Sequence, residues 1–227
     1  MIQTSFRTIL TFLVFFFYLD SSAQIEKEFL NLHNKYKNID TLSVFMNMQV
    51  FYTNNLSNTK SDLALYKLKN IFLYKIDKNL ILSTPEMDLF INNDLKQIHV
   101  TNKTKDKNSS NPNVNFNIFE VDSILKKCKS ISGPNINGSS KTYCMISDNL
   151  PIYNTCVTID TVTSFLTYVS YDYKEIVNSI KRVEISIKNS NVMLVKNEMN
   201  INYYVQSVSK NKYIPTKKYM HYEIITN

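Results

Sequence analysis

The sequence predicts a mainly β protein of the α+β class: a curved antiparallel sheet forming a half-barrel closed by one or two helices. Three observations predict it. Apolar residues recur at every second position over long segments, beginning with Leu42 to Tyr52, which marks half-buried strands. Turn-forming residues interrupt these segments at short intervals in both halves of the chain, as in a run of antiparallel neighbours. One segment near the start, Ile25 to Ile39, instead has the three-and-four spacing of an amphipathic helix.

Residues 1–23 are expected to be a signal peptide. Arg7 gives a positive start, Ile9 to Leu19 is almost unbroken apolar, and Ser21-Ser22-Ala23 supplies small residues for cleavage after Ala23. The apolar run is about a dozen residues, short of the ~20 that span a bilayer, so no stable transmembrane segment is expected. A lipoprotein signal needs a cysteine at the cleavage point, where this chain has Gln24. Residues 24–227 then read as a single half-barrel domain, since no Pro- or Ser-rich linker divides them. The expected location is the periplasm, or outside the cell if the chain is secreted.

The elements follow in order. Ile25, Phe29, Leu32, Tyr36 and Ile39 form the apolar face of a helix ending near Asn38. Leu42, Val44, Met46, Met48, Val50 and Tyr52 share one face of a strand, with Ser43, Asn47, Gln49 and Thr53 on the other. Asn54 to Asp62 is a polar loop. Ala64, Tyr66, Leu68, Phe72, Tyr74 and Ile76 are then expected to form a second long alternating strand. Shorter strands at Leu80 to Ser83, Met87 to Ile91 and Leu95 to Thr101 are separated by Thr84-Pro85 and Asn92-Asn93-Asp94.

Thr101 to Asn115, nearly without apolar residues, reads as an exposed loop, and Asp122 as the cap of a short helix holding Ile124, Leu125 and Cys128. Ser130 to Ser140, with both glycines, is expected to be a second loop. Strands are then expected at Thr142 to Ser147, Ile152 to Asp160, Ser164 to Tyr173, Ile180 to Lys188, Met199 to Ser207 and Lys218 to Ile225. A sheet this wide curls, and helices on its open side make a half-barrel.

Composition removes several functions. Gly133 and Gly138 are the only glycines of the 227 residues, so dinucleotide fingerprint, P-loop and nucleophile elbow are all absent. His33, His99 and His221 are too far apart for a helix-spaced zinc pair, and no metal or other cofactor is expected. The formal charge of +7 favours anionic partners, yet the basic residues are nearly all lysine, with Arg7 and Arg182 the only arginines, which argues against nucleic acid. Lipid head groups fit an exported basic protein better. Of the carboxylate pairs, Glu86 with Asp88 and Glu120 with Asp122 read as solvated polar faces, and no catalytic residue is assigned. Cys144 and Cys156 are equidistant from Leu150 in the turn-forming segment Asp148 to Pro151, so a hairpin centred there would oppose them for a disulfide. A one-residue slip would leave them as separate buried thiols.

The order of these patterns resembles the LolA-like proteins. The resemblance rests on the signal ending in Ala-Gln, the helix with Leu30, Leu32 and Tyr36, and the long strand from Leu42. It also rests on Glu86-Met87-Asp88-Leu89-Phe90-Ile91-Asn92 before Ile98-His99-Val100. The ending Asn211-Lys212-Tyr213-Ile214-Pro215-Thr216-Lys217-Lys218-Tyr219 resembles the tail of exported members from Bacteroidota. The resemblance implies an incomplete barrel closed by helices around an apolar cavity that takes acyl chains. Carriers of that type latch their lid with arginine, whereas Arg182 here lies in a strand-like Lys181-Arg182-Val183-Glu184 context, and no family binding residue is carried over.

The expected function is therefore that of an exported, non-catalytic protein that accommodates a lipid or lipoprotein acyl chain. Met46, Met48, Val50, Phe72, Tyr74, Leu89 and Ile91 are the candidate ligand-binding residues, because thioethers and aromatic rings make adaptable apolar surfaces. The alternative is an envelope interaction module with a filled β core, docking a protein partner without a ligand.

Overall fold

A computed structural model of the chain describes residues 25–53, 58–103, 128–147, 151–177, 180–191, 195–209 and 211–226. The expected signal peptide, most of the Thr101 to Asn115 loop and the short helix starting at Asp122 lie outside these residues.

Helix α1 (25–38) forms where the apolar spacing predicts it, with Ile25, Phe29 and Leu32 no more than 4% exposed. The strands that follow are β1 (Thr41–Tyr52), β2 (Thr59–Leu68), β3 (Ile71–Ile76), β4 (Asn79–Ser83), β5 (Met87–Asn92), β6 (Gln97–Asn102) and β7 (Ser130–Asn137). Then come β8 (Ser140–Ile146), β9 (Ile152–Asp160), β10 (Leu166–Val177), β11 (Ile180–Ser190), β12 (Val205–Ser209), β13 (Lys212–Pro215) and β14 (Glu223–Thr226). One 12-stranded sheet has the order β14-β6-β5-β4-β3-β2-β1-β11-β10-β9-β8-β7, and β12 pairs with β13 in a separate hairpin. The sheet is antiparallel except at β14, which runs parallel to β6. It is curved and open, with β14 and β7 as its two edges.

Each face of the sheet has its own cover, over different strands. On the inner face α1 packs Ile25, Phe29 and Leu32 on Tyr143, Met145, Val157, Leu166 and Val169 of β8 to β10. Its C-terminal end meets β1 to β3, where Tyr36 and Ile39 join Leu42, Val44, Leu65 and Tyr74. Polar contacts fix the helix at both ends. Buried Lys67 of β2 donates from Nζ to the carbonyls of Tyr36 (2.9 Å) and Lys37 (2.6 Å), two of the acceptors a helix C-terminus leaves free. Glu28 accepts from Lys141 Nζ at 2.6 Å and from the Tyr143 hydroxyl.

The outer face is covered over β2 to β6 by residues 195–222, which contain three short 3-10 turns and the β12–β13 hairpin. Met199, Tyr204, Val205 and Tyr219 from this segment pack on Tyr66, Leu73, Leu82, Leu89, Ile91, Ile98 and Val100.

Four expectations need correction. The polar loop expected from Asn54 to Asp62 gives way at Thr59 to β2, whose residues 59–62 pair with β1. The single strand from Ala64 to Ile76 is two strands, β2 and β3, joined by a turn at Lys69 and Asn70 in which Lys69 is left-handed (φ 53°). Leu68 pairs with Ile71 across that turn, so Ala64, Tyr66 and Leu68 point outward while Phe72, Tyr74 and Ile76 point inward. Ser130 to Ser140 is largely the edge strand β7, polar because nearly all of it is exposed. Its Gly133 (φ +114°) marks a close approach: a Cβ there would lie 2.6 Å from the Thr142 carbonyl oxygen. Finally, the strands expected at Met199 to Ser207 and Lys218 to Ile225 begin as 3-10 turns and become extended only at Val205 and Glu223. The rings of Tyr203, Tyr204, Tyr219 and Tyr222 meet there with centroids 5.0 to 6.2 Å apart, and the coiled backbone brings them together.

Candidate functional site

The register of the strands divides the seven candidate ligand-binding residues between the two faces. Val44 pairs with Leu65 and Leu65 with Tyr74, while Lys67 pairs with Phe72. Met46, Met48, Val50, Phe72 and Tyr74 therefore share the inner face with α1. Leu89 and Ile91 pair with Leu82 and Leu80 on the outer face, where both are 0% exposed beneath the C-terminal cover.

The five inner residues differ in what surrounds them. Tyr74 is buried with Leu42, Val44 and Leu65, and Met46 and Phe72 pack against that cluster. Met48 and Val50 continue the face beyond it and are half-buried. The neighbouring strand extends the same apolar surface, because Ile187, Ile185 and Val183 of β11 stand opposite Met46, Met48 and Val50. Val169 and Tyr171 of β10 stand next to Ile185 and Val183. The result is an apolar strip three strands wide that, among the described residues, no charged side chain interrupts. Burial raises the Tyr171 hydroxyl pKa, as expected of a phenol set among hydrocarbon.

Of the other groups singled out from the sequence, Arg182, Asp88, Cys144 and Cys156 have structural partners, while Glu120 and Asp122 lie outside the described residues. Arg182 lies on the outer face, with Nε 2.8 Å from Glu184 and Nη1 3.5 Å from Asp172. Asp88 is paired with Lys103 at 2.8 Å. Cys144 and Cys156 are directly opposed in β8 and β9 and joined by a disulfide with S–S 2.05 Å. Cys128 is a half-buried thiol outside the disulfide, packed beside the core under α1, and burial pushes its pKa up. Among the described residues no group of three His, Cys, Asp or Glu side chains could hold a metal ion. No helix among them is long and apolar enough to cross a membrane.

Among the described residues, cavities that the sequence pattern did not reveal open on the outer face. One, about 570 Å³, lies over β11, β1, β2 and β3 around Phe45, Asn47, Asp62 and Lys75. The other, about 980 Å³, runs between the C-terminal cover and the ends of β2, β3 and β5. Leu68, Ile71 and Met87 were visible in the sequence as strand residues. Their partners Met199, Ile201 and Tyr213 come from a segment whose sequence pattern looks extended, so the groove between them was hidden.

No family model and no curated protein sequence matches the chain. Several solved structures do. An uncharacterized conserved protein from Thermus thermophilus is similar at 6% identity and a TM-score of 0.50, over 90% of this chain and 99% of that one. A LolA superfamily protein from Nitrosomonas europaea matches at 6% identity and a TM-score of 0.33, over 73% of this chain and 92% of that one. The lipoprotein LppX from Mycobacterium tuberculosis matches at 10% identity and a TM-score of 0.41, over 73% and 94%. At these identities a likeness concerns the fold alone. The open, curved antiparallel half-barrel with its helix, the architecture expected from the LolA-like order of sequence patterns, is shared with the Thermus protein over nine-tenths of the chain.

Proposed function

We propose that this is an exported, non-catalytic binding protein that accommodates an apolar ligand, a lipid or lipoprotein acyl chain, on the inner face of the half-barrel. One observation carries the reading. The apolar strip of Met46, Met48 and Val50 beside Ile187, Ile185 and Val183 continues past the clusters that anchor α1, without a charge to interrupt it. Burial of hydrocarbon there is worth about 25 cal/mol per Å². With few polar groups to hold a head group, the ligand would leave as readily as a carrier requires. The apolar start of the sequence and the LolA-like order of its patterns support export and this ligand class.

The competing reading, an envelope interaction module with a filled core, draws on the sealing of Leu65 and Tyr74 beneath the end of α1. Native mass spectrometry of the protein purified from its own envelope, followed by solvent extraction and lipid analysis, separates the two. A stoichiometric lipid is expected, and it should be lost in a Met48→Glu variant whose circular dichroism is unchanged. A ligand-free mass together with failure to bind fluorescent fatty acids would overturn the carrier reading and direct attention to a protein partner.

A further inference from the structure

We infer that the outer-face groove is a second binding site, one that takes a single-chain amphiphile with an anionic head. The groove is about 980 Å³, at the upper end of the ~300–1,000 Å³ usual for small-molecule sites. Its floor is apolar on both walls. Leu68, Ile71 and Met87 come from the sheet, and Met199, Val205 and Tyr213 from the C-terminal cover. The groove exists because the cover crosses the sheet as turns and a hairpin rather than as one flat layer, so the two apolar surfaces meet fully over Leu82 and Leu89 but part toward the strand ends. The methionines on opposite walls suit a flexible chain, since an unbranched thioether adapts its shape at low strain.

The charges define the rest of the ligand. Lys69, in the β2–β3 turn, and Lys196, in the first 3-10 turn, both line the groove and are exposed. Neither forms an ion pair with a carboxylate among the described residues. Glu86 is the one acidic residue of the lining, so positive charge is in excess at the rim. A neutral hydrocarbon would use the floor and leave the lysines solvated. A long-chain carboxylate uses both, with its head between Lys69 and Lys196 and its tail over Ile71 and Met199. The twelve-stranded sheet separates this site from the inner strip, so one can be lost without the other.

Isothermal titration calorimetry of the Met48→Glu variant, whose inner strip is blocked, tests the assignment with dodecanoate, decanoate and neutral 1-decanol. One dodecanoate per chain is expected to remain bound. Each methylene buried tightens binding about fourfold, so dodecanoate should bind about fifteenfold more tightly than decanoate. Lys69→Asn combined with Lys196→Gln should weaken dodecanoate about fivefold and leave 1-decanol unchanged. Both positions are exposed, and asparagine tolerates the left-handed backbone at position 69, so these variants keep the fold. Absence of dodecanoate binding in Met48→Glu would overturn the inference, as would equal affinity in the lysine double variant.

Discussion

The attachment of α1 to β8 offers a test whose size follows from the geometry. Glu28 accepts from Lys141 Nζ at 2.6 Å and from the hydroxyl of Tyr143, whose side chain is 1% exposed. The Glu28 and Lys141 side chains are 25% and 29% exposed, so solvent competes with the Lys141 arm more than with the tyrosine arm. A hydrogen bond to a charged group contributes about 1.5–3 kcal/mol, and a buried hydroxyl left without a partner costs about 1–3 kcal/mol. Glu28→Ala should therefore lose about 3 kcal/mol, Tyr143→Phe about 1.5 kcal/mol, and the double variant less than their sum by about 1 kcal/mol.

The effect should also depend on pH. Burial by itself would raise the Glu28 pKa, but the hydrogen bonds from Lys141 and Tyr143 and the Lys141 charge outweigh it and hold the carboxyl below its ordinary 4.5. A carboxylate lowered in this way stabilises fully above its unfolded value, and the contribution is lost as pH falls through the folded value. The difference between wild type and Glu28→Gln should be largest at pH 7 and shrink as pH drops below 4.5. Urea unfolding of the four proteins of the Glu28–Tyr143 cycle at pH 7, with Glu28→Gln and wild type followed down to pH 3, measures both effects. A coupling under about 0.3 kcal/mol, or a pH-independent difference, would refute the account of how α1 is held.

Other expectations follow from the core and the caps. Leu89→Ala, on the sealed outer face, should cost about 3 kcal/mol in urea unfolding, while Met48→Ala on the half-buried strip should cost clearly less; equal costs would mean the two faces are packed alike. Replacing Cys144 and Cys156 together by alanine should remove about 3 kcal/mol, given the separation of 12 residues, and should abolish the shift in stability that a reducing agent causes in wild type. Lys67→Met keeps the apolar stem but frees the carbonyls of Tyr36 and Lys37, and should cost about 2 kcal/mol with faster amide exchange confined to the end of α1.

How far the sequence could be read depended on whether its signals were local. β1 was legible because its period of two persists for twelve residues, and α1 because Ile25, Phe29 and Leu32 repeat at helical spacing. The β2–β3 turn was not legible, since Lys69 and Asn70 contain neither glycine nor proline. The chain makes such turns by placing Lys69, Asp77, Lys96, Ser164 and Asn211 at positive φ. Missing that turn hid the reversal of faces between Leu68 and Phe72, although Phe72 and Tyr74 still share the inner face with Met46. Leu89 and Ile91 read as candidates for the ligand face because alternation within one strand does not say which side of the sheet it faces. Only the register with β4 and the distant residues Met199 to Tyr219 reveals that they point outward.

The way the outer face is covered has a consequence for how the protein is made. Leu73, Leu82, Leu89 and Ile98, all 0% exposed in the finished fold, sit in strands complete by residue 102, yet their cover arrives only with residues 195–222. β6 then waits for Glu223 to Thr226 before it ceases to be an edge. A growing chain thus holds an uncovered apolar surface from residue 102 until residues 195–222 have emerged. A chain truncated before residue 195 is therefore expected to expose this surface and to aggregate rather than fold.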